Sequence, residues 1–257
     1  MTPIVILSLF IPLIGTTLGS AMVFFLKKEI NSLLRKILMG FASGVMIAAA
    51  IWSLMIPAIN SYTDFQKWLV PAASFLVGIG FMLLLDYLIP HMHLVHKEEE
   101  GIEAKGMSKT FKMMLAVTLH NIPEGLAVGV VVSGMMTGHI EEWPMLTLAI
   151  GIAIQNFPEG IIVSGPLKEE GMPKWKAFLL GTLSGVVEPI ASLIAIACTI
   201  FIEVILPYTL AFAAGVMIYV VVEELIPEAN EGKHSNLATI GLAIGFVLMM
   251  ILDIALG

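Results

Sequence analysis

The sequence predicts an all-α membrane protein with eight transmembrane helices. Apolar residues make up 58% of the 257 residues and charged residues only 13%, whereas soluble proteins average roughly 25% charged. The mean hydropathy is +0.96. Apolar runs of about 20 residues, long enough to cross a bilayer, lie near 4–26, 36–58, 69–89, 111–133, 144–166, 176–202, 206–226 and 236–256. We expect a single membrane domain over residues 1–257, with one longer loop at 91–110.

The basic residues predict how the chain is oriented. Of the 13 Lys and Arg residues, 12 fall in or beside loops that follow odd-numbered spans, and only Lys67 falls on the other side. Short loops rich in Lys and Arg stay in the cytoplasm. We therefore predict that the loop 91–110 is cytoplasmic and that both termini lie outside the cytoplasm. The net charge of −7, with the basic residues spread over separate loops, argues against a nucleic-acid partner.

An internal repeat relates span two to span seven. Residues 41–47 and 212–218 match at six of seven positions, with an offset of 171. Span two runs outward and span seven inward, so the predicted repeat is inverted, with spans one to three matching six to eight around a central pair, four and five. Inverted repeats are typical of secondary transporters, which bind substrate near mid-membrane. A chance match in apolar sequence is the alternative.

Two related motifs lie at the predicted centres of spans four and five. The motif His-Asn-Ile-Pro-Glu-Gly begins at His120, and Gln-Asn-Phe-Pro-Glu-Gly begins at Gln155. The first, second and fifth positions of each motif share one side of an α-helix. An ionised carboxylate inside a membrane costs about 2.5 kcal/mol or more, so such a glutamate indicates a functional site. The candidate ligands are His120, Asn121, Glu124, Gln155, Asn156, Glu159 and, at the centre of span six, Glu188.

The prolines and the donor types favour a cation site. Pro123 and Pro158 each leave a carbonyl one turn earlier without its helical donor, which mid-membrane tolerates only where water, protein or an ion satisfies it. An ordinary proline kink would explain the prolines but not the glutamates. One imidazole, several amides and three carboxylates suit a borderline divalent metal such as Zn²⁺, and Fe²⁺, Mn²⁺, Co²⁺ and Cd²⁺ also fit. We expect the metal to be a transported or bound ion and expect no catalytic cofactor.

These motifs, together with the eight spans and the outside termini, resemble the ZIP family of divalent-metal transporters, most of all its prokaryotic GufA-type branch. The resemblance covers essentially the whole chain. It implies import of metal into the cytoplasm across a prokaryotic inner membrane, by a homodimer. It also implies an elevator-like motion in which spans one, four, five and six slide against spans two, three, seven and eight.

The resemblance further implies a binuclear centre. The first metal would be held by His120, Glu124, Gln155 and Glu159. The second would be held by Asn121, Glu124, Asn156, Glu159 and Glu188. Asn156 stands where some relatives of this family carry an aspartate, and the amide lowers the negative charge of the second site.

Weaker candidates lie along a possible path through the membrane. Met46, Ser53 and Asn60 recur every seven residues on one face of span two, which in the family lines the entrance. The resemblance makes Met46 a thioether ligand, although an ordinary core methionine is an open alternative in a chain with 17 of them. At the cytoplasmic ends of spans seven and three we expect either exit-side ligands or solvated interfacial acids at Glu223, Glu224 and Asp86.

A histidine cluster, His91, His93 and His96, lies in the long loop. It resembles the His-bearing cytoplasmic segment of many ZIP proteins and could catch or sense metal, while a solvated loop is the alternative. Asp253, in span eight, has no assigned role.

Two other classes of function stay open at this point. An intramembrane metal-dependent hydrolase would use mid-membrane His and Glu to activate water, but the chain has no His-Glu-x-x-His motif. A metal-sensing membrane protein would share the ligands without needing a polar path. We expect a transporter and not an enzyme.

Overall fold

The computed structural model describes residues 2–26, 30–92, 99–101, 109–169, 171–199, 203–233 and 235–256. These residues form eight helical segments long and apolar enough to cross a membrane, as predicted. In chain order, spans one to eight are Pro3–Phe24, Ser32–Asn60, Gln66–Leu88, Leu115–Met136, Glu142–Glu169, Lys174–Thr199, Leu206–Asn230 and Leu237–Leu256.

Four spans are continuous α-helices and four are interrupted. The helix of span four starts before the membrane segment, at Lys109. Span one ends in a 3₁₀ turn, Met22–Phe24, and a second 3₁₀ turn, Glu203–Ile205, precedes span seven. Span six is two helices, Lys174–Gly185 and Val187–Thr199. The two-residue strands His91–Met92 and Glu99–Glu100, which the sequence did not predict, pair antiparallel beyond span three.

Spans two and seven share one unusual build. In span two, the α-helix Ser32–Ala49 passes through the π-helical turn Ala50–Met55 into Ile56–Asn60. In span seven, Leu206–Val220 passes through Val221–Leu225 into Ile226–Asn230. Both resumed helices begin Ile-Pro, and proline cannot donate to the carbonyl four residues earlier. π-Helical turns are rare and occur mostly as single turns inside α-helices, often at functional sites.

The π turns also explain why the offset between the two repeated spans changes. The turn has six residues in span two and five in span seven. Before it the two spans correspond at an offset of 171, and after it Ile56-Pro57 corresponds to Ile226-Pro227 at an offset of 170. The repeat therefore extends through the whole of both spans, with one residue inserted in the turn.

Helix packing follows the same inverted symmetry. The most extensive helix pairs are span two with eight and span three with seven, and span one with five and span four with six. Exchanging the two halves of the repeat converts each pair into its counterpart. The spans thus form a first helix group (one, four, five and six) and a second helix group (two, three, seven and eight).

Glycines allow the closest of these contacts. A Cβ added at Gly44 in span two would collide with the carbonyl of Leu242 in span eight. At the repeat-related Gly215 in span seven, a Cβ would collide with the carbonyl of Phe75 in span three. Small residues let membrane helices approach to backbone contact, where packing supplies much of the association energy.

Candidate metal centre

The first helix group brings all seven predicted ligands of spans four, five and six into the interior. Each of these residues is at most 7% exposed, and Glu124, Gln155 and Asn156 are fully buried. Buried polar groups in proteins nearly always have hydrogen-bond partners or bind an ion. The way in which each group is satisfied therefore indicates what the centre can bind.

Backbone contact between spans four and six sets the spacing of two carboxylates. A Cβ at Gly125 would collide with the backbone of Glu188, so only glycine allows this approach. Ser192 Oγ donates a hydrogen bond of 2.7 Å to the Gly125 carbonyl and holds the two spans together. Glu124, next to Gly125 in the chain, is thereby placed beside the Glu188 helix.

The two asparagines present their oxygens and not their amino groups. Asn121 Nδ2 donates to the Ser184 carbonyl at 3.0 Å, and Asn156 Nδ2 donates to the Pro12 carbonyl at 3.3 Å. Because a carbonyl can only accept, these bonds fix which way each amide points. Both Oδ1 atoms are buried and accept no hydrogen bond from the described residues. A buried carbonyl oxygen without a donor is a potential ligand for a cation.

The carboxylates show the same property. Both oxygens of Glu124 are buried without a hydrogen-bond donor in the described parts of the chain. Gln155 and Asn156 face Glu124, and Glu159 and Glu188 are close enough for like-charge repulsion with it. An unsatisfied buried acceptor costs about 1–3 kcal/mol, so this cluster is stable only with protons, water or a cation nearby.

Glu159 and Glu188 are each held by a neighbour. Gln155 Nε2 donates to Glu159 Oε1 within one helical turn, and Gln155 Oε1 is left without a donor among the described residues. Thr16 Oγ1 in span one donates to Glu188 Oε1 at 3.1 Å, which leaves Glu188 Oε2 free of hydrogen bonds in the described chain. No sequence pattern indicated Thr16, because it meets Glu188 only through the packing of spans one and six.

Span six was predicted as one helix, but it breaks at Val186 beside the centre. The second helix begins at Val187, which places Glu188 in its first turn. The unsatisfied N–H groups at a helix start favour a negative charge there. Pro189 is compatible with this position because its missing N–H has no helical partner in the first turn.

Within the ranges that the structure describes, no three His, Cys, Asp or Glu side chains are spaced to hold a metal ion by themselves. The physical reason lies in the composition of the cluster, since its carboxylates are interleaved with amides. Coordination of an ion here needs the oxygens of Asn121, Gln155 and Asn156 alongside the carboxylates.

The second helix group also contributes to the centre, through Glu224. We expected Glu224 at the cytoplasmic end of span seven, either as an exit-side ligand or as a solvated acid. Span seven continues to Asn230, so Glu224 lies about one and a half turns inside it. Its side chain is 1% exposed and contacts His120 Nε2. The apolar run in the sequence ends near residue 226, whereas the helix continues to Asn230.

The face of span two is only partly polar in the structure. Met46 is buried in the apolar core, and Asn60 is exposed at the end of its helix. Ser53 Oγ donates to Asp253 Oδ1 of span eight at 2.7 Å. Asp253 was left without a role, although an acid inside an apolar span is itself a signal of function. The roles of Met46, Ser53 and Asn60 stay predictions.

Asp86 joins a cluster at the far end of span three. Its carboxylate accepts from Tyr219 Oη at 3.1 Å and lies 3.1 Å from His91 Nε2. His91 is fully buried, and its Nδ1 lies 2.8 Å from the Ile89 carbonyl. A solvated position is therefore wrong for His91. Glu223 is exposed, and His93 and His96 lie outside the described residues.

Comparisons with known proteins point to one family. Residues 91–253, more than half of the chain, match the family described as ZIP Zinc transporter. The chain is 38% identical to Zinc transporter ZIP11 of Xenopus tropicalis, over 94% of each chain. It is 38% identical to Zinc transporter ZIPB of Bordetella bronchiseptica, over 95% of this chain and 78% of the relative. It is 35% identical to Zinc transporter GufA of Myxococcus xanthus, over 80% and 81%.

The similar identities to these relatives do not select a branch. What they share is the family, and the match with it includes both motifs, Glu188 and Asp253. With eight membrane spans, a buried cluster of cation-binding oxygens and relatives of this similarity along nearly the whole chain, the protein belongs to the ZIP family of zinc transporters.

Proposed function

We propose that this chain carries Zn²⁺ into the cytoplasm through a two-metal centre at mid-membrane. Zinc is the ion named for each of the relatives described above. The observation that carries the proposal is a set of six buried oxygens that accept no hydrogen bond from the described residues, on Asn121, Glu124, Gln155, Asn156 and Glu188.

We assign the ligands as follows. The first metal takes His120, Glu124, Gln155 and Glu159. The second takes Asn121, Glu124, Asn156, Glu159 and Glu188. Glu124 is shared, and its two unbonded oxygens support that role. A mixed nitrogen and oxygen set without thiolate binds zinc loosely enough for release and also accepts Cd²⁺, Fe²⁺, Mn²⁺ or Co²⁺.

The residues replace the hydration shell of the ion during entry. An isolated charge in a low-dielectric interior is prohibitively costly, so three carboxylates offset the charge of the cation as water is removed. The backbone carbonyls of Ser184 and Pro12 hold the two asparagine amides with their oxygens available. These bonds reduce the ordering cost of binding because the amides need not turn.

We propose elevator-type alternating access between the two helix groups. The packing supports it, since the most extensive helix contacts lie within each group and those between groups are smaller. All seven predicted ligands of spans four to six belong to the first group, so they can move together. Met46 and Glu224 belong to the second.

The remaining assignments rest on the sequence and the resemblance. The Lys and Arg distribution supports cytoplasmic odd-numbered loops, with both termini outside a prokaryotic cell membrane. We propose a homodimer on the resemblance to the family. Within the family we propose the GufA-type branch, on the motifs at His120 and Gln155.

Uptake into proteoliposomes tests the proposal. Purified protein should accumulate radioactive zinc inside the vesicles, with Cd²⁺, Fe²⁺, Mn²⁺ and Co²⁺ added as competitors and a pH gradient imposed in either direction. A hydrolase or a sensor would bind zinc without accumulating it. Binding without uptake under every gradient would therefore reject transport.

The division of ligands makes a separate prediction. If only the first metal is carried, His120→Ala should lower uptake at least about 10-fold more than Asn121→Ala, because Asn121 contacts only the second metal. Mass spectrometric metal counting should show loss of one metal in each variant, not both. Loss of both metals in Asn121→Ala would contradict the division.

A further inference from the structure

A small cavity lies between the two helix groups, next to the proposed centre. Its volume is about 20 Å³, which is enough for a single water or metal ion. His120 and Glu159 of the first group line one side. Glu228 of span seven and Met39 of span two line the other. The cavity is therefore a place where an ion held by one group can touch the other.

Glu228 is the side chain in this cavity that nothing above explains. It is 4% exposed, and its Oε1 accepts no hydrogen bond within the described residues. Arg35 is close enough to act on it electrostatically, but the Arg35 guanidinium bonds Glu231 at 3.4 Å instead. A buried carboxylate oxygen without a donor is costly, so a purely structural role accounts poorly for it.

The position of Glu228 places it further along the route than Glu224. It follows Glu224 by four residues, about one helical turn towards the end of span seven. Glu224 contacts His120, and Glu228 shares the cavity with both His120 and Glu159. Since Asn230 ends span seven on the proposed cytoplasmic side, Glu228 lies between the centre and that surface.

We infer that Glu228 is a metal ligand of the second helix group, which takes the divalent cation from His120 and Glu159 on its way out. The inference rests on the proposed function and deepens it. One imidazole nitrogen and two carboxylate oxygens suit Zn²⁺. Because no three His, Cys, Asp or Glu side chains are spaced to hold an ion in the described structure, the two helix groups must shift relative to each other to form this set. An ion in this site is no longer bound by Glu124 and the amides, but His120, Glu159 and Glu228 still hold it.

Handing the ion over one ligand at a time avoids an expensive intermediate. A cation released directly from the centre would cross an apolar wall formed by Met39, Val117 and Leu225. Charge without ligands is strongly disfavoured there. Glu228 supplies one negative charge on the side formed by the second helix group, which does not carry the motifs of spans four and five.

The chain offers a direct test, because Cys198 is its single cysteine. In a Cys198→Ser background, Glu228→Cys places one thiol in the cavity. We expect Cd²⁺ alone, at micromolar concentration, to slow alkylation of this thiol by a small maleimide at least about 10-fold, because a thiolate binds Cd²⁺ tightly. Adding His120→Ala should remove the protection, since the thiol would lose its partner ligand.

Glu231→Cys in the same background is the matched control. Glu231 is three residues further on, and its side chain is 31% exposed and paired with Arg35. We expect no protection of this thiol by Cd²⁺. Equal alkylation rates at position 228 with and without Cd²⁺, or equal protection at both positions, would overturn the inference.

A second measurement decides the case if the thiol at 228 does not react at all. Glu228→Gln should lower zinc uptake at saturating zinc by about 10-fold while the zinc bound per protein stays unchanged, whereas Glu231→Gln should transport normally. Wild-type rates in Glu228→Gln, or loss of bound zinc, would reject an exit ligand. Failure of the wild-type protein to carry zinc would instead reject the proposed function.

Discussion

Glu124→Gln is expected to lower zinc uptake at least about 100-fold, which corresponds to about 3 kcal/mol of lost interaction with the ion. The substitution keeps the size of the side chain and removes one negative charge and one shared oxygen ligand. Neither Glu124 oxygen accepts a hydrogen bond among the described residues. Removing the carboxylate therefore breaks no internal hydrogen bond, and we expect the variant to fold. Uptake in proteoliposomes and thermal melting of the purified protein measure the two effects.

Glu141→Gln provides the control for charge. Glu141 is exposed in the loop between spans four and five, so its neutral variant should transport zinc at close to the wild-type rate. A Glu124→Gln protein that transports normally would show that Glu124 is not a shared ligand. A variant that loses both uptake and folding would show that Glu124 has a structural role instead.

Gly44→Val is expected to lower the melting temperature by roughly 5–10 °C, because overpacking a closely packed interface costs about 1–3 kcal/mol or more. A Cβ at Gly44 would meet the Leu242 carbonyl and the Phe246 amide nitrogen of span eight. These atoms belong to the helix backbone, so span eight must shift as a whole. Zinc uptake should fall with the fraction of folded protein.

Gly80→Val is the matched substitution at an open position. Gly80 lies in span three, and a Cβ there would meet no described atom within 4 Å. We expect its melting temperature to stay within about 2 °C of the wild-type value. Equal stability of both valine variants would mean that spans two and eight do not approach to backbone contact.

Local sequence signals determine some features of this fold, and contacts between distant residues determine others. Hydropathy predicted all eight spans, because membrane helices need about 20 apolar residues wherever they pack. The repeat at residues 41–47 and 212–218 predicted which spans correspond. The break at Val186 and the π turns were missed, since both depend on how a helix relieves a local backbone mismatch against its neighbours.

The candidate ligands divide in the same way. His120, Glu124 and Glu159 could be selected from sequence because polar and acidic groups in an apolar helix are costly at any position. Thr16 could not, because hydroxyl groups occur throughout membrane helices and only packing puts this one 3.1 Å from Glu188 Oε1. Asp253 and Glu228 carried the same acidic signal as Glu124 but lay outside a motif.

The sequence by itself determined the membrane class, the number of spans, the inverted relation of the two halves and the residues that could bind a cation, because each depends on composition or local spacing. Only the tertiary structure decided which of those residues meet. It placed Glu224 against His120 and joined Ser53 to Asp253. It also opened a cavity between His120, Glu159 and Glu228. Such contacts depend on how two separately packed helix groups face one another, and no periodicity within a single helix encodes that relation.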